Sequence, residues 1–162
     1  MKITKVKITN FRILENITVD FDKIVTLVVG RNNSGKTSLA EVFSIFFTGG
    51  EKSKFRFEDF TLRIHKRFLI ALKRYERYVK AISDKEDIVT IEKRERLYKL
   101  IFPKIVVEIY LEYNEEDNGK LAPISNFLMD LDETRKDALI SCEFGVFELE
   151  KLFKAYFATA TE

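Results

Sequence analysis

Eight consecutive residues near the N-terminus, Gly30–Thr37, have the spacing of a phosphate-binding loop. Their sequence, GRNNSGKT, fits the pattern G-x-x-x-x-G-K-[ST]. Gly30 and Gly35 let the backbone curl so that its N–H groups point inward and form a nest for an anion. Lys36 would supply a point charge to the β- and γ-phosphates of a nucleotide, and the Thr37 hydroxyl suits Mg²⁺. The pattern therefore predicts a site for a nucleoside triphosphate with Mg²⁺.

The segments on either side of this loop agree with that prediction. Lys23–Gly30, KIVTLVVG, shows little alternation of apolar and polar residues, which is typical of a strand covered on both faces. A helix is predicted from about Lys36, and Gly49–Gly50 would end it. Its apolar residues recur at helical spacing: Leu39, Val42, Phe43 and Phe46. The positive end of the helix dipole would add to the phosphate site. The alternative is a glycine turn that happens to hold a Lys-Thr pair.

A second short motif, Ile8–Arg12, ITNFR, precedes the loop. Together the two motifs resemble the start of the RecF/SMC-type ABC ATPases. Within that group the chain most resembles the overcoming-lysogenization-defect (OLD) family of AAA ATPases, which includes Gabija-type antiphage proteins. The resemblance implies an α/β fold of the P-loop NTPase class, an ABC-ATPase-like N-terminal lobe with a mixed sheet. It also implies ATP and Mg²⁺ as ligands and a role in DNA metabolism or antiphage defence.

The same resemblance assigns roles to individual residues. Thr37 is expected to hold Mg²⁺. Arg12 matches an arginine near the base and phosphates of the nucleotide, although it could equally be a surface charge at a strand end. In Phe57–Phe60, FEDF, Asp59 would orient the Mg²⁺ shell or, alternatively, cap the following helix. The full set of predicted nucleotide-binding residues is Gly30, Asn32, Asn33, Ser34, Gly35, Lys36, Thr37, Ser38 and Arg12.

Residue periodicity predicts the remaining elements. Lys2–Phe11 and Glu15–Asp22 alternate as the two strands of an antiparallel hairpin. Arg67–Ile82 is predicted to be an amphipathic helix, with an apolar face formed by Phe68, Leu72, Tyr75, Val79 and Ile82. The further predictions are a helix over Glu92–Ile101, a strand over Lys104–Tyr113, a short helix over Ile124–Asp132, a strand over Ala138–Leu149, and a C-terminal helix from Glu150 whose apolar residues have no evident partner.

We expect one partial ATPase head over residues 1–162. Residues 1–50 would hold strands, the phosphate loop and its helix, residues 61–104 a basic helical insertion, and residues 105–162 antiparallel strands and a C-terminal helix. The lone cysteine, Cys142, is interpreted as a buried small residue in a reducing compartment. No apolar run is long enough to span a bilayer, so a cytoplasmic location without membrane contact is expected.

Charge is unevenly distributed along the chain. Thr61–Lys104 has 13 Lys and Arg residues against 6 Asp and Glu, a net charge of +7. Ile105–Glu162 has 5 against 13, a net charge of −8. The basic segment could contact DNA. The alternative is a solvated helical face whose charges meet the acidic third segment, which is favoured because no stacking aromatic residues are regularly interleaved with the basic ones.

The chain departs from the family pattern in features that hydrolysis needs. The expected apolar strand ending in Asp-Glu, which would hold Mg²⁺ and orient water, has only an imitation in Phe127–Glu133, FLMDLDE. There is no S-G-G type signature and no glutamine, and the single histidine, His65, comes too early to be the switch histidine. We therefore expect the N-terminal lobe of an ABC-type head, completed by a missing C-terminal half or by homo-oligomerisation. A nuclease is a candidate partner.

Three functional hypotheses follow from the sequence. The first is the ATP-binding part of an OLD/RecF-like ATPase, supported by the loop and ITNFR. The second is a stand-alone nucleotide-binding or interaction module that hydrolyses nothing, supported by the missing Asp-Glu strand. The third, a GTPase or small-molecule kinase, is disfavoured because the chain lacks an N-K-x-D motif for guanine.

Overall fold

In the part of the chain that the structure describes, four strands form a single antiparallel sheet. The structure is a computed structural model that describes residues 1–48, 56–113, 136–146 and 148–160. In chain order the strands are β1 (Lys2–Phe11), β2 (Leu14–Asp20), β3 (Ile105–Glu112) and β4 (Asp137–Phe144). Their order across the sheet is β2-β1-β3-β4. The predicted hairpin is confirmed, and the first and third segments of the sequence share one sheet.

Within the described ranges, four α-helices accompany the sheet: α1 (Lys36–Thr48), α2 (His65–Ser83), α3 (Ile88–Ile101) and α4 (Leu149–Ala160). α1 begins where the glycine pattern predicted. α3 begins earlier than predicted because the Asp87 side chain caps it, accepting a hydrogen bond of 2.9 Å from the Thr90 N–H. Two short 3₁₀ turns, Phe57–Asp59 and Leu62–Ile64, precede α2.

The main core lies between one face of the sheet and α1. Strand β3 buries every second residue, from Ile105 to Leu111, as its alternation predicted. Val6 and Ile8 of β1 are fully buried. Val42 of α1 belongs to the same core. The sheet and the helix that follows the phosphate loop are therefore packed into one unit.

A second apolar cluster joins α2, α3 and α4. Tyr98 of α3 is fully buried, and the ring centroids of Tyr75 and Phe153 lie 4.8 Å apart. The C-terminal helix thus has the apolar partner that its sequence did not reveal. The predicted apolar face of α2 was wrong at its end, because Val79 and Ile82 are 45% and 48% exposed.

The strand predicted over Lys23–Gly30 does not form. Its apolar side chains lie in solvent, with Ile24 93%, Leu27 80% and Val29 78% exposed, and it belongs to no strand. An apolar run becomes a strand only when another strand pairs with it, and among the described residues none reaches either edge of this segment. For the same reason the described sheet is antiparallel and not mixed as predicted.

Several predictions concern residues outside the described ranges. They are the Gly49–Gly50 stop, the short helix over Ile124–Asp132 and the Phe127–Glu133 motif. Among the described helices, none is both long and apolar enough to cross a membrane.

We expect Phe153→Ala to lower the free energy of unfolding by about 3–5 kcal/mol, because it removes a buried ring that joins α4 to α2 and α3. Tyr156→Ala, on the same helix but 50% exposed, is the matched control and should cost about 1 kcal/mol or less. Urea unfolding followed by circular dichroism measures both. Equal losses for the two variants would contradict the packing described for α4.

Candidate nucleotide-binding site

The phosphate loop is a tight turn that leads directly into α1. The Ser34 N–H donates to the Arg31 carbonyl at 3.3 Å, and Asn33 and Gly35 have positive φ values of 61° and 94°. A Cβ on Gly30 would lie 2.6 Å from Ser34 Oγ. The positive φ of Gly35 favours glycine at that position, and a Cβ on Gly30 would require the Ser34 side chain to move.

The first turn of α1 presents unused hydrogen-bond donors. The first intrahelical bond is donated by the Leu39 N–H to the Gly35 carbonyl at 2.8 Å. In the part of the chain that the structure describes, the N–H groups of Lys36, Thr37 and Ser38 have no backbone acceptor. Such amides, together with the positive end of the helix dipole, attract an anion.

Lys36 lies folded across the loop. Its Nζ donates to the carbonyls of Gly30 and Arg31, both at 2.7 Å. An ammonium group has three donors, so one remains for another acceptor. Lys36 forms no ion pair with a carboxylate among the described residues, and its charge is not neutralised there.

A solvent-open cavity of about 520 Å³ lies over the loop. This volume is within the roughly 300–1,000 Å³ of small-molecule sites. Six of the predicted binding residues line this cavity: Asn32, Asn33, Gly35, Lys36, Thr37 and Ser38. One residue that was not predicted, Ile13, completes the lining. Gly30 and Ser34 shape the loop, and the carbonyl of Gly30 holds Lys36.

Thr37 fits a role as a magnesium ligand. It is exposed and lines the cavity, and its hydroxyl is the kind of oxygen ligand that Mg²⁺ takes. Asp59 is engaged elsewhere: its Oδ1 accepts from Arg12 Nε and its Oδ2 accepts from the Arg56 N–H, both at 2.8 Å. The structure thus places Thr37 at the cavity and Asp59 in an ion pair.

Arg12 joins the β1–β2 turn to α1. Its guanidinium donates to both carboxylate oxygens of Glu41 and to Asp59, and its backbone N–H donates to the Asp59 carbonyl at 2.7 Å. Hydrogen bonding to Glu41 is the main cause of a raised Arg12 pKa. Arg12 also has a positive φ of 48°, which is uncommon outside glycine. We call Arg12, Glu41 and Asp59 the arginine cluster.

Sequence reasoning missed Glu41 and Ile13. A signal for Glu41 was present, since it is the only acidic residue in α1, a helix rich in apolar residues. A lone carboxylate in such a helix is a candidate for pairing with a cation. Ile13 carried no signal, because a single apolar residue between two strands is common in hairpins.

A second candidate surface is a cationic groove between α2 and α3, with a volume of about 460 Å³. Its lining consists of Arg74, Arg77, Thr90, Lys93, Arg94 and Leu97. Arg94 is held in place by Glu86 at 2.8 Å and by the Arg77 carbonyl at 2.9 Å. In the described part of the chain, the side chains of Arg74, Arg77 and Lys93 form no ion pair.

Within the described ranges, the basic segment Thr61–Lys104 and the acidic segment Ile105–Glu162 form few ion pairs with each other. The ion pair between them is that of Lys104 with Glu143, at 2.6 Å. Lys104 lies outside the cationic groove. The groove therefore keeps an excess of positive charge towards solvent.

Comparison with known proteins gives two findings. A family model described as "AAA ATPase domain" matches residues 1–158. The chain is also similar to a DNA double-strand break repair Rad50 ATPase from Pyrococcus abyssi (strain GE5 / Orsay), with 39% identity over 56 residues. That alignment covers 35% of this chain but 6% of the relative, so the chain spans only a small part of the relative's length. No solved structure matches the chain.

We expect Gly35→Ala to lower the free energy of unfolding by about 1–3 kcal/mol, because a Cβ at this positive φ would lie 2.7 Å from Leu14 Cδ2. Gly145→Ala is the matched control, since a Cβ there would meet only the flexible Lys104 side chain, at 3.3 Å. Thermal melts of both variants give the comparison. A Gly35 variant as stable as the control would show that the turn does not approach the loop this closely.

Proposed function

Because this chain belongs to the AAA ATPase domain family, we propose that it is the ATP-binding part of an OLD- or RecF-like P-loop ATPase that acts in DNA metabolism or antiphage defence. Membership in the family implies binding of ATP. The observation that supports the site is the cavity over the loop, which is lined by Lys36, Thr37 and Ser38, whose amides have no backbone acceptor among the described residues.

When a triphosphate binds, hydrogen bonds within the loop would be replaced by hydrogen bonds from the loop to the phosphates. Lys36 now donates to two loop carbonyls, and phosphate oxygens would take their place as stronger, charged acceptors. The amides that begin α1 would hold the same phosphates. Mg²⁺, when bound, would neutralise charge on the β- and γ-phosphates. Thr37 would contribute its hydroxyl to that ion.

The alternative function is nucleotide binding without hydrolysis. One observation favours it: Ile24–Val29, which enters the loop, has no strand partner among the described residues. We propose that this segment pairs with a strand from a second copy, from another protein, or from residues outside the described ranges. Until such a strand is in place, the loop would bind nucleotide without a fully assembled catalytic site.

We expect the chain to bind ATP and Lys36→Ala to bind it about 10- to 100-fold more weakly, since a charge-assisted contact contributes about 1.5–3 kcal/mol. Isothermal titration calorimetry with Mg²⁺ and a slowly hydrolysed ATP analogue measures the affinities. Lys23→Ala, which removes an exposed lysine outside the cavity, is the control. Unchanged affinity in the Lys36 variant would remove the basis for a phosphate site.

Phosphate release from ATP, measured with the same protein and the same Lys36→Ala variant, separates the two functions. We expect negligible hydrolysis by the chain alone, as the unpaired segment leads us to propose. Turnover that disappears in Lys36→Ala would instead favour a self-sufficient ATPase.

DNA is the proposed partner of the cationic groove. Four cations line it, and Arg94 is already fixed by Glu86 and Arg77. A groove lined by positive charges and by no aromatic ring suits the phosphate backbone more than the bases. The Pyrococcus abyssi relative, whose name refers to DNA double-strand break repair, agrees with this partner.

We expect duplex DNA binding at low salt that weakens steeply as salt rises, because phosphate contacts release counterions. The double variant Arg74→Gln/Lys93→Gln should lower the slope of log K against log salt by about 2, and Lys151→Gln/Lys154→Gln on α4 should leave it unchanged. Fluorescence anisotropy across a salt series measures the slopes. Equal effects from both pairs, or no binding at low salt, would mean that the groove is only a solvated face.

A further inference from the structure

We propose that strand β4 pairs edge to edge with β4 of a second copy of this chain, so that the four-stranded sheets of the two copies join into one antiparallel sheet. The proposal does not depend on nucleotide binding, because β4 contributes no residue to the lining of the cavity over the loop. It also concerns a different surface from the unpaired segment Ile24–Val29.

The free edge of β4 lacks the features that usually prevent strand pairing. β4 is the last strand in the order of the sheet, and among the described residues no strand pairs with its other edge. Proteins commonly protect such an edge with a charge, a proline or a bulge. The central residues of β4, Ala138–Cys142, include no charge and no proline, and the register between β4 and β3 is regular throughout. The backbone of β4 is therefore suited to accept another strand.

The apolar core is incomplete along the same edge. Val107 and Ile109 of β3 are buried, but Cys142 and Ile140, which lie opposite them on β4, are only half-buried. Both β4 residues pack against the main core and still keep part of their surface in solvent. A strand added beyond β4 would cover that surface as well as pair with the backbone, and burial of apolar area favours association.

The core-facing residues of β4 are complementary to themselves. When two copies are aligned antiparallel about Ser141, Ile140 of each copy lies opposite Cys142 of the other. Ala138 lies opposite Phe144, so that a small side chain meets a large one. Every pair on this face is apolar, and the symmetry makes each contact twice. Because the pairing uses the free β4 edge of both copies, assembly closes at a dimer.

The outer face of the sheet favours the register about Ser141 over its neighbours. In this register Leu139 lies opposite Glu143, and no like charges meet. Alignment about Ile140 would instead place Asp137 opposite Glu143, and like charges directly opposite each other destabilise a sheet. Shifting the centre towards the end of the strand would leave more of β4 unpaired.

We expect light scattering to give the mass of a dimer in the absence of nucleotide, and disulfide formation to report the register. Directly opposite Cα atoms in an antiparallel pair lie about 4.5–5.5 Å apart, which a disulfide can bridge. In a Cys142→Ser background, which removes the only cysteine, Ser141→Cys should form a covalent dimer under a mild oxidant. Leu139→Cys, at an exposed position on the same face of β4, is the matched control and should not.

A charge swap tests the same contact without cysteine. Ser141→Lys and Ser141→Glu should each weaken dimerisation by about fivefold, equivalent to about 1 kcal/mol, because each places like charges opposite each other. An equimolar mixture of the two variants should dimerise again. Thr18→Lys, at an exposed position on the other edge strand, β2, should leave the dissociation constant unchanged. Sedimentation equilibrium measures all of these constants.

The proposal is overturned by a monomer at every concentration, by equal cross-linking of the two cysteine variants, or by a mixture that does not recover. A dimer that forms without the Ser141 cross-link would be held by another contact, such as Ile24–Val29, and would equally exclude pairing through β4. A failure of ATP binding would leave all of these results as they are, so the proposed function and this dimer fail separately.

Discussion

The close approach of the β1–β2 turn to the first turn of α1 is the constraint on which the site depends. At Gly35 the backbone has a φ of 94°, and any Cβ would collide with Leu14. Leu14 is itself only 4% exposed and packs in the main core with Val42 of α1. Core packing therefore sets the distance between turn and helix, and the loop between them must curl to fit. The amides that would face phosphate are oriented by that packing.

The arginine cluster stabilises the same junction by electrostatics. One guanidinium pairs with the carboxylates of Glu41 and Asp59, so the cluster keeps a net negative charge. Asp59 is only 7% exposed, and a buried carboxylate is tolerated because hydrogen bonds from Arg12 and from the Arg56 backbone compensate for lost water. The positive φ of Arg12 costs about 1–3 kcal/mol, and these contacts offset it. The β1–β2 turn, α1 and the segment before α2 are thereby linked through one side chain.

The sequence correctly predicted the elements that local residue patterns determine, namely the strands β1 and β3 and the start of α1. The alternation of β1 and β3 marked the buried face correctly, because each strand has one covered side. The loop motif predicted the start of α1 because this glycine and lysine spacing is typical of a phosphate-binding loop that leads into a helix. Contacts between distant segments could not be predicted this way. The burial of Phe153 depends on Tyr75 and Tyr98, and that of Asp59 on Arg12, and no spacing in the sequence records either.

Lys23–Gly30 is the clearest case in which a local pattern failed to predict structure. The failure also concerns function, because this segment leads into the phosphate loop. Its residues have strand composition, but a strand needs a neighbour, and the described chain supplies none. Val29 is covalently joined to Gly30, so pairing of Ile24–Val29 would also fix the entrance to the phosphate loop. Fixing the backbone of one residue costs about 1–2 kcal/mol of conformational entropy. If the segment were already paired, nucleotide binding would not have to supply this free energy. By linkage, bound nucleotide would equally favour pairing. If Ile24–Val29 pairs in this way, nucleotide binding and pairing of the segment would be coupled in one equilibrium.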